Sequence, residues 1–380
     1  ESPARPIRHV WEAPVFTERT SVGLDVHARS VVAAGIDDRT GELIQQKLVP
    51  DPGVVIEWLR SLPGPVAVAY EAGPTGFGLC RAVRDAGIRC EVVAPSKLAR
   101  PAGDHVKTDA RDALLLARLL RIDELVTVRV PTIEQEAARD LVRAREDARC
   151  DLTRARQRLS KLLLRYGHVY YGGKAWTTVH DNWLRSIRFE GPERGGTRAA
   201  FDADYETVQL TLTRRDRLDA AIAALAADSE FTPVVRRLGC LRGVSTLTAL
   251  GLAVEIGDWD RFTGASIGAY LGLVPSEHSS GESRRQGPIT KAGNTHARRL
   301  LIEAAWHHRP TYRVGPTMRE RWELAPGTAA ARGHAGNLRL HRRWRSLDAR
   351  KKPTTVSNTA IARELAGWCW SLATLPEPSA

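Results

Sequence analysis

The hexapeptide Lys107-Thr108-Asp109-Ala110-Arg111-Asp112 places two carboxylates three residues apart. On a helix that spacing projects both from one face. The apolar run Ala113-Leu114-Leu115-Leu116-Ala117, continuing to Leu120, predicts that the segment is a helix. An Asp-x-x-Asp pair alone describes many solvated helix faces. The acids upstream change its weight. Asp25 lies inside the first strongly apolar β-like run, between Leu24 and Val26, and Glu71 closes another, Val66-Ala67-Val68-Ala69-Tyr70. A carboxylate in or just past a hydrophobic strand is costly to bury unless a cation compensates it. The plainer alternatives are a strand-edge carboxylate for Asp25 and a strand-end cap for Glu71, before the turn Gly73-Pro74-Thr75-Gly76. Taken together, four acids in the order Asp, Glu, Asp, Asp, two on strands and two on a helix, form a set able to hold a pair of divalent metals for phosphoryl transfer. An all-carboxylate set favours Mg²⁺ or Mn²⁺ over zinc.

The elements that must position these acids follow from the pattern. Residues 21–49 read as three strands, with Asp37-Asp38-Arg39-Thr40-Gly41-Glu42 as turn chemistry between the second and third. A helix is expected at about 53–62, a strand at 66–70, a helix at 77–86, a strand at 89–93, and then the helix carrying Asp109 and Asp112. Three antiparallel strands followed by strand–helix alternation is the order of a ribonuclease H-like α/β domain, in which the first strand's acid sits mid-sheet. From about residue 133 a long helix runs to 166, its apolar stripe at Leu141, Ala144, Ala148, Leu152, Leu159 and Leu162-Leu163 set among arginines. A second helix at about 205–227, with Leu218, Ile222 and Leu225, is its expected antiparallel mate. Residues 167–200 between them read as an insertion or loop. Its Trp176 and Trp183 either stack on bases or form a small aromatic cluster.

The remaining domain begins near Phe231. Leu238-Gly239-Cys240-Leu241-Arg242-Gly243-Val244-Ser245 has the shape of a helix-hairpin-helix, whose tight Gly243-Val244 turn presents backbone N–H groups to a DNA phosphate, with Arg242 beside them. A helix is expected at 266–271. The polar stretch from Pro275 to Gly287 reads as a Ser/Gly loop between helices, which composition alone would leave as a linker. What sets it apart is the cluster Arg284, Arg285, Lys291, Arg298 and Arg299 around it, with Asn294 a further candidate for nucleic-acid contact. Cations there stabilise a serine alkoxide and the transition state of its attack on a phosphodiester. Residues 310–355 are basic and weakly patterned, a nucleic-acid contact or mobile segment, and a last helix is expected at 358–372, with Trp368 and Trp370 as packing residues.

At 380 residues with 43% apolar content the chain is long enough for two or three cored domains. No run approaches the roughly 18 apolar residues of a membrane span, no secretory signal is visible, and residues 1–17 read as a Pro-rich arm. The five cysteines are scattered, without a C-x-x-C pair, which suits a reducing cytoplasm and speaks against a disulfide framework or zinc site. The net charge of +12 is carried mainly by arginine, whose guanidinium fork suits phosphate-rich partners.

Several of these segments together resemble one family. They are Gly23-Leu24-Asp25-Val26-His27, Tyr70-Glu71-Ala72, the Lys107–Asp112 hexapeptide, Tyr270-Leu271-Gly272-Leu273-Val274-Pro275, Ser279-Ser280-Gly281 and Thr290-Lys291-Ala292-Gly293-Asn294. The chain is similar, from about residue 21 to 306, to the DEDD transposases of bacterial insertion sequences, relatives of the pilin-gene invertase also called bridge-RNA-guided recombinases. The resemblance implies an α/β plus all-α chain. A RuvC-like domain would occupy 18–130, coiled-coil helices 131–230 with the insertion at 167–200, and a mainly helical transposase domain 231–375. It further implies that Asp25, Glu71, Asp109 and Asp112 bind metal, and that Ser280, immediately before Gly281, attacks DNA to form a covalent phosphoserine link. DNA and a non-coding bridge RNA would be the partners, in a homo-oligomer from dimer to tetramer, at the bacterial nucleoid. Glu71 is followed by Ala-Gly-Pro-Thr-Gly, one residue longer than the family's usual Ala-Thr-Gly. Two rivals remain: a RuvC-type hydrolytic junction nuclease, which needs the acids and no serine, and a non-catalytic nucleic-acid-binding protein whose acids are structural.

Overall fold

The computed structural model describes residues 18–98, 108–280 and 283–376. The chain divides into two compact units, Glu1–Thr132 and Ile133–Ala380.

In the first unit, β1 (Thr20–Val26), β2 (Val31–Asp37) and β3 (Leu43–Leu48) form an antiparallel meander. After α1 (Pro52–Ser61), β4 (Val66–Glu71) returns parallel to β1, and after α2 (Gly78–Asp85), β5 (Arg89–Val93) adds parallel to β4. The sheet order is β3-β2-β1-β4-β5, so β1 is central. α3 (Asp109–Arg121) follows. The two-residue period of a strand sorts the sheet into two faces. Val22, Leu24, Val68 and Tyr70 pack with Trp58 and Leu59 of α1 and Val83 of α2. Ala67, Ala69 and Val93 pack instead with Leu116 and Leu120 of α3. The small residues are therefore on α3's side. Gly23 is the extreme case, because a Cβ there would overlap the Ala113 carbonyl oxygen of α3.

In the second unit, α4 (Ile133–Arg165) and α6 (Gly195–Ala227) are the long helices, with α5 (Thr178–Ser186) between them. Arg145 meets Asp219 while Arg158 meets Asp204, and this falling register makes the pair antiparallel. α6 starts ten residues before the expected 205, and the insertion carries α5. Trp176 and Trp183 pack with Leu159, Leu184 and Phe201, so the small-cluster reading describes their packing.

The rest of the unit is α7 (Thr232–Leu238), α8 (Thr246–Ile256), α9 (Ser266–Tyr270), the hairpin β6 (Pro275–Ser280) and β7 (Ser283–Ile289), α10 (Thr295–Ala305), α11 (Pro316–Glu323), α12 (Gly327–Ala349) and α13 (Thr354–Ala373). Ala138, Val142, Ile222 and Ala226 of the long pair share one core with Leu250 of α8, Leu301 of α10, Trp344 of α12 and Leu365 of α13. Two expectations are corrected here. The polar stretch after Pro275 is a two-stranded ribbon rather than a linker loop, and its strands lack hydrophobic alternation where Glu277 and residues 285–288 stand exposed. Residues 310–355 are mostly helical, in α11, α12 and the start of α13, and are more strongly patterned than expected. α12 buries Ala329, Gly333, Gly336, Asn337, Leu340, Trp344 and Leu347 at three- and four-residue spacing. Among the described residues, no helix is long and apolar enough to cross a membrane.

Candidate functional site

The pleat places Asp25 on the face of Gly23, and Glu71 on the face of Ala67 and Ala69, which is the side α3 covers. Leu24 and Tyr70 are register partners on adjacent parallel strands, so Asp25 and Glu71 are the next residues along at the same sheet end. Thr108 caps α3, its side chain accepting from the Arg111 N–H. That cap starts the helix at Asp109 and puts both Asp109 and Asp112 in its first turn. Gly23 lets the helix backbone lie directly on β1. Turn and strand end therefore meet.

The electrostatics record the meeting. Burial raises the Asp25 pKa above the usual carboxylate value, His27 opposes that, and the charges of Asp109 and Asp112 raise it further. His27 Nε2 lies 3.1 Å from Asp25 Oδ2 and 3.8 Å from Asp109 Oδ1. One ligand atom from each of Asp25, His27 and Asp109 fits within 4.8 Å of the others. Asp112 is 9% exposed, and Glu71 half-buried; both have polar or electrostatic partners of their own. Clustered carboxylates with a raised pKa are relieved by a cation, and oxygen donors with one imidazole suit Mg²⁺ or, better, Mn²⁺. The residues fit a divalent metal. Sequence reasoning passed over His27 as a site residue; its position two residues after Asp25, just past the end of β1, was the available signal.

Ser280 ends β6, in register with Ser283 across the hairpin, and Ser279 pairs with Arg284. The base of this ribbon is seated by Thr290 N–H donating to the Val274 carbonyl at 2.9 Å and Lys291 N–H to Gly272 at 3.1 Å. Gly281 and Glu282 lie outside the described residues, as does Lys107 of the α3 hexapeptide.

The basic and polar residues expected at nucleic acid divide in two. Arg285 and Lys291 are exposed, Lys291 with a left-handed φ of 54°, and Arg284 lies on β7. The others hold the fold. Arg242 donates to the carbonyls of Pro310 and Thr311, each at 3.0 Å. Arg298 donates to those of Leu271 and Ala292. Arg299 bridges Glu146 and Glu303. Asn294 caps α10 through Oδ1 and donates Nδ2 to Glu255 at 2.7 Å. Gly243, at φ 82°, packs against Ala304 and His307. Two N–H groups of the turn between α7 and α8 are not free as expected, since that of Arg242 donates to Asn337 and that of Val244 to Leu241.

Glu255 is a buried ionised centre that sequence reasoning also missed. Its fully buried carboxylate accepts from Arg143 Nε and Nη2 at 2.9 Å and pairs with His296 Nδ1 at 3.0 Å. Burial opposes ionisation, but the hydrogen bonds from His296, Arg143 and Asn294 outweigh it and hold the carboxyl far below the usual range.

Two family models match the chain. One, the DEDD transposase model of the IS110 type, covers residues 22–168 and so contains all four acids; the other, described as Transposase IS116/IS110/IS902 family, covers 235–323 and contains the hairpin. The chain is 39% identical to y4qE of Sinorhizobium fredii over 93% of its own length and 88% of that protein's. It is 30% identical to the transposase for insertion sequence element IS1533 of Leptospira borgpetersenii, over 87% and 97%. A further match, at 27% identity over 58% of this chain and 59% of the other, is the transposase for insertion sequence element IS1111A of Coxiella burnetii. The chain belongs to the IS116/IS110/IS902 family and is a DEDD-type DNA transposase.

Proposed function

We propose that this transposase is an RNA-guided site-specific recombinase, which excises and inserts its own element by metal-assisted serine attack on DNA phosphodiesters. The observation that carries the reading is the convergence of Asp25, Asp109 and His27 within 4.8 Å, under a helix whose first turn also supplies Asp112. Asp25, Asp109 and Asp112, with Glu71 at the neighbouring strand end, would hold Mg²⁺ or Mn²⁺. A divalent ion bound there supplies Lewis-acid polarisation of a phosphodiester and a lowered pKa for the attacking hydroxyl. His27, hydrogen-bonded to Asp25, adds an imidazole donor beside the carboxylates.

Ser280 Oγ forms a bond to phosphorus while the P–O bond to one deoxyribose breaks, and the leaving oxygen takes up a proton. The phosphoserine ester keeps the phosphodiester energy, so a new strand's hydroxyl reverses the step without ATP. Arg284 and Arg285 belong to β7 of the ribbon that carries Ser280, and Lys291 follows its end, so the sequence there supplies cations that favour a phosphate. A bridge RNA specifying target and donor, and a tetramer pairing the acids of one copy with the serine of another, complete the reading.

The test is a strand-exchange reaction with purified protein, Mg²⁺, element-end and target DNA, and RNA from the element's non-coding flank. The reading predicts recombinant product only with the RNA, and product at a new target when the RNA's target-pairing segment is rewritten. Product of equal yield without RNA overturns guidance. Cleaved, unjoined DNA with no attached protein favours the hydrolytic nuclease.

A further inference from the structure

The insertion between the two long helices contains a site that neither the acids nor the serine uses. α5 runs nine residues from its cap Thr177, and its N-terminal end borders a cavity of about 290 Å³ together with Arg156, Trp176 and His180. A second cavity of about 340 Å³ lies beside it, and Arg156 and Trp176 line both; Thr153, Gln157, Ser160 and Lys161 complete the second.

Three features of these walls need explaining. Arg156 has its guanidinium over the Trp176 ring at 4.9 Å, yet among the described residues no carboxylate pairs with it and its buried Nε has no hydrogen-bond partner. Desolvation and the nearby Arg215 both disfavour its charge. A partly buried, uncompensated guanidinium calls for an anion. His180 is 5% exposed, and its Nδ1 has no partner either. Its ring is wedged among Tyr170, Trp176 and Trp183, with centroids 4.7, 5.0 and 5.3 Å away. Burial lowers its pKa, so the imidazole is neutral at pH 7 and offers one donor and one acceptor. Trp176 adopts φ 65°, a left-handed conformation rare for a bulky residue and one that surrounding structure must enforce.

An arginine without a carboxylate partner among the described residues, the N-terminal end of a helix, an aromatic wall and an unsatisfied imidazole match a phosphate joined to a flat, hydrogen-bonding ring. We infer that the Arg156–Trp176–His180 pocket binds one unpaired nucleotide of a single strand, its phosphate at Arg156 and the N-terminus of α5 and its base against Trp176 and His180. Asp181 also lines the cavity, but its carboxylate is turned to Tyr205, Gln209 and Arg185, with Arg185 balancing its charge. The inference is independent of the serine mechanism. RNA and DNA share this chemistry, and the experiment separates them.

Full-length protein is mixed with a short single-stranded oligouridylate or with its deoxy twin, each carrying a photoactivatable base. After irradiation, cross-linked peptides are mapped by mass spectrometry and affinity is read by fluorescence anisotropy. The expected result is a cross-link on the Trp176 peptide in at least one arm, and the stronger arm identifies the source strand. Arg156→Gln and His180→Phe should each weaken that cross-link and the affinity by about tenfold. Both should keep the wild-type melting temperature or raise it, since they remove an unpaired charge and an unsatisfied nitrogen. A double-stranded oligonucleotide should not cross-link there. Absence of the cross-link in both single-strand arms, or its survival in both variants, overturns the site; a lowered melting temperature with unchanged affinity assigns the cluster to folding alone.

Discussion

Gly23 on the central strand lies against the Ala113 carbonyl of α3 so closely that no side chain fits between them. That contact sets the height of α3 above the sheet, and with it the reach from Asp109 to Asp25. Gly23→Ala should therefore push α3 outward. Overpacking of this kind costs about 1–3 kcal/mol, read as a lowered midpoint of thermal unfolding, and metal-dependent cleavage should fall with it. Gly35→Ala on β2 is the control: its Cβ would meet only side-chain carbons at 3.5 Å and beyond. Equal effects from the two substitutions would refute the spacer role.

Asp25→Asn separates metal binding from folding. It removes a half-buried charge that Asp109 and Asp112 repel, so stability without metal should hold or rise. The stabilisation by Mg²⁺ or Mn²⁺, about 2.7 kcal/mol at a hundredfold excess over Kd, should vanish. Calorimetric scans with and without metal measure both. His27→Gln should weaken the response to Mn²⁺ more than that to Mg²⁺, because imidazole is the softer donor. A full metal response in Asp25→Asn would rule this cluster out.

Glu255 anchors α8 to α4 and α10. Glu255→Ala should cost about 3 kcal/mol, near the low end for breaking a buried ion pair, since the Arg143 side chain is 56% exposed and can turn to solvent. Glu255→Gln should cost less, as it still accepts hydrogen bonds. Chemical denaturation of the two variants tests the order.

His308 gives the fold an acid-side sensitivity. Burial first, then the neighbouring charges of Arg242 and His307, bring its pKa down to about 3. The unfolded chain takes up this proton near pH 6.5, whereas the folded chain does not until far lower. The contribution is complete above about pH 6.5 and is lost as pH falls toward 3, by at most about 1.4 kcal/mol per unit. His308→Leu should flatten the loss between about pH 6 and 4.5, above the range where carboxylates dominate. An unchanged slope would contradict it.

The α/β unit was legible because its signals are apolar and periodic: β5 occupies Arg89–Val93, matching the expected 89–93, and the acids fall at strand ends and a helix start. The C-terminal half hid where burial uses residues that do not read as hydrophobic. α12 shows this with glycines, alanine and asparagine in its buried stripe, Gly333 against Cys240 and Gly336 against Trp368. Asn294, Arg298 and Arg299 looked like phosphate ligands because sequence shows charge and polarity but not partners, and their partners lie far along the chain in Glu255, Leu271 and Glu146. The hairpin bearing Ser280 hid for the opposite reason, as exposed positions such as Glu277, Arg285 and Gln286 give a strand no apolar alternation to read.

The most direct measurement is a covalent trap. Protein, Mg²⁺, labelled element-end DNA and the flanking RNA are combined, denatured in detergent and resolved on a gel. The account predicts a labelled protein band that disappears in Ser280→Ala and Asp25→Asn and persists in Ser279→Ala. Cleaved DNA that migrates free of protein, at equal yield in Ser280→Ala, would contradict it.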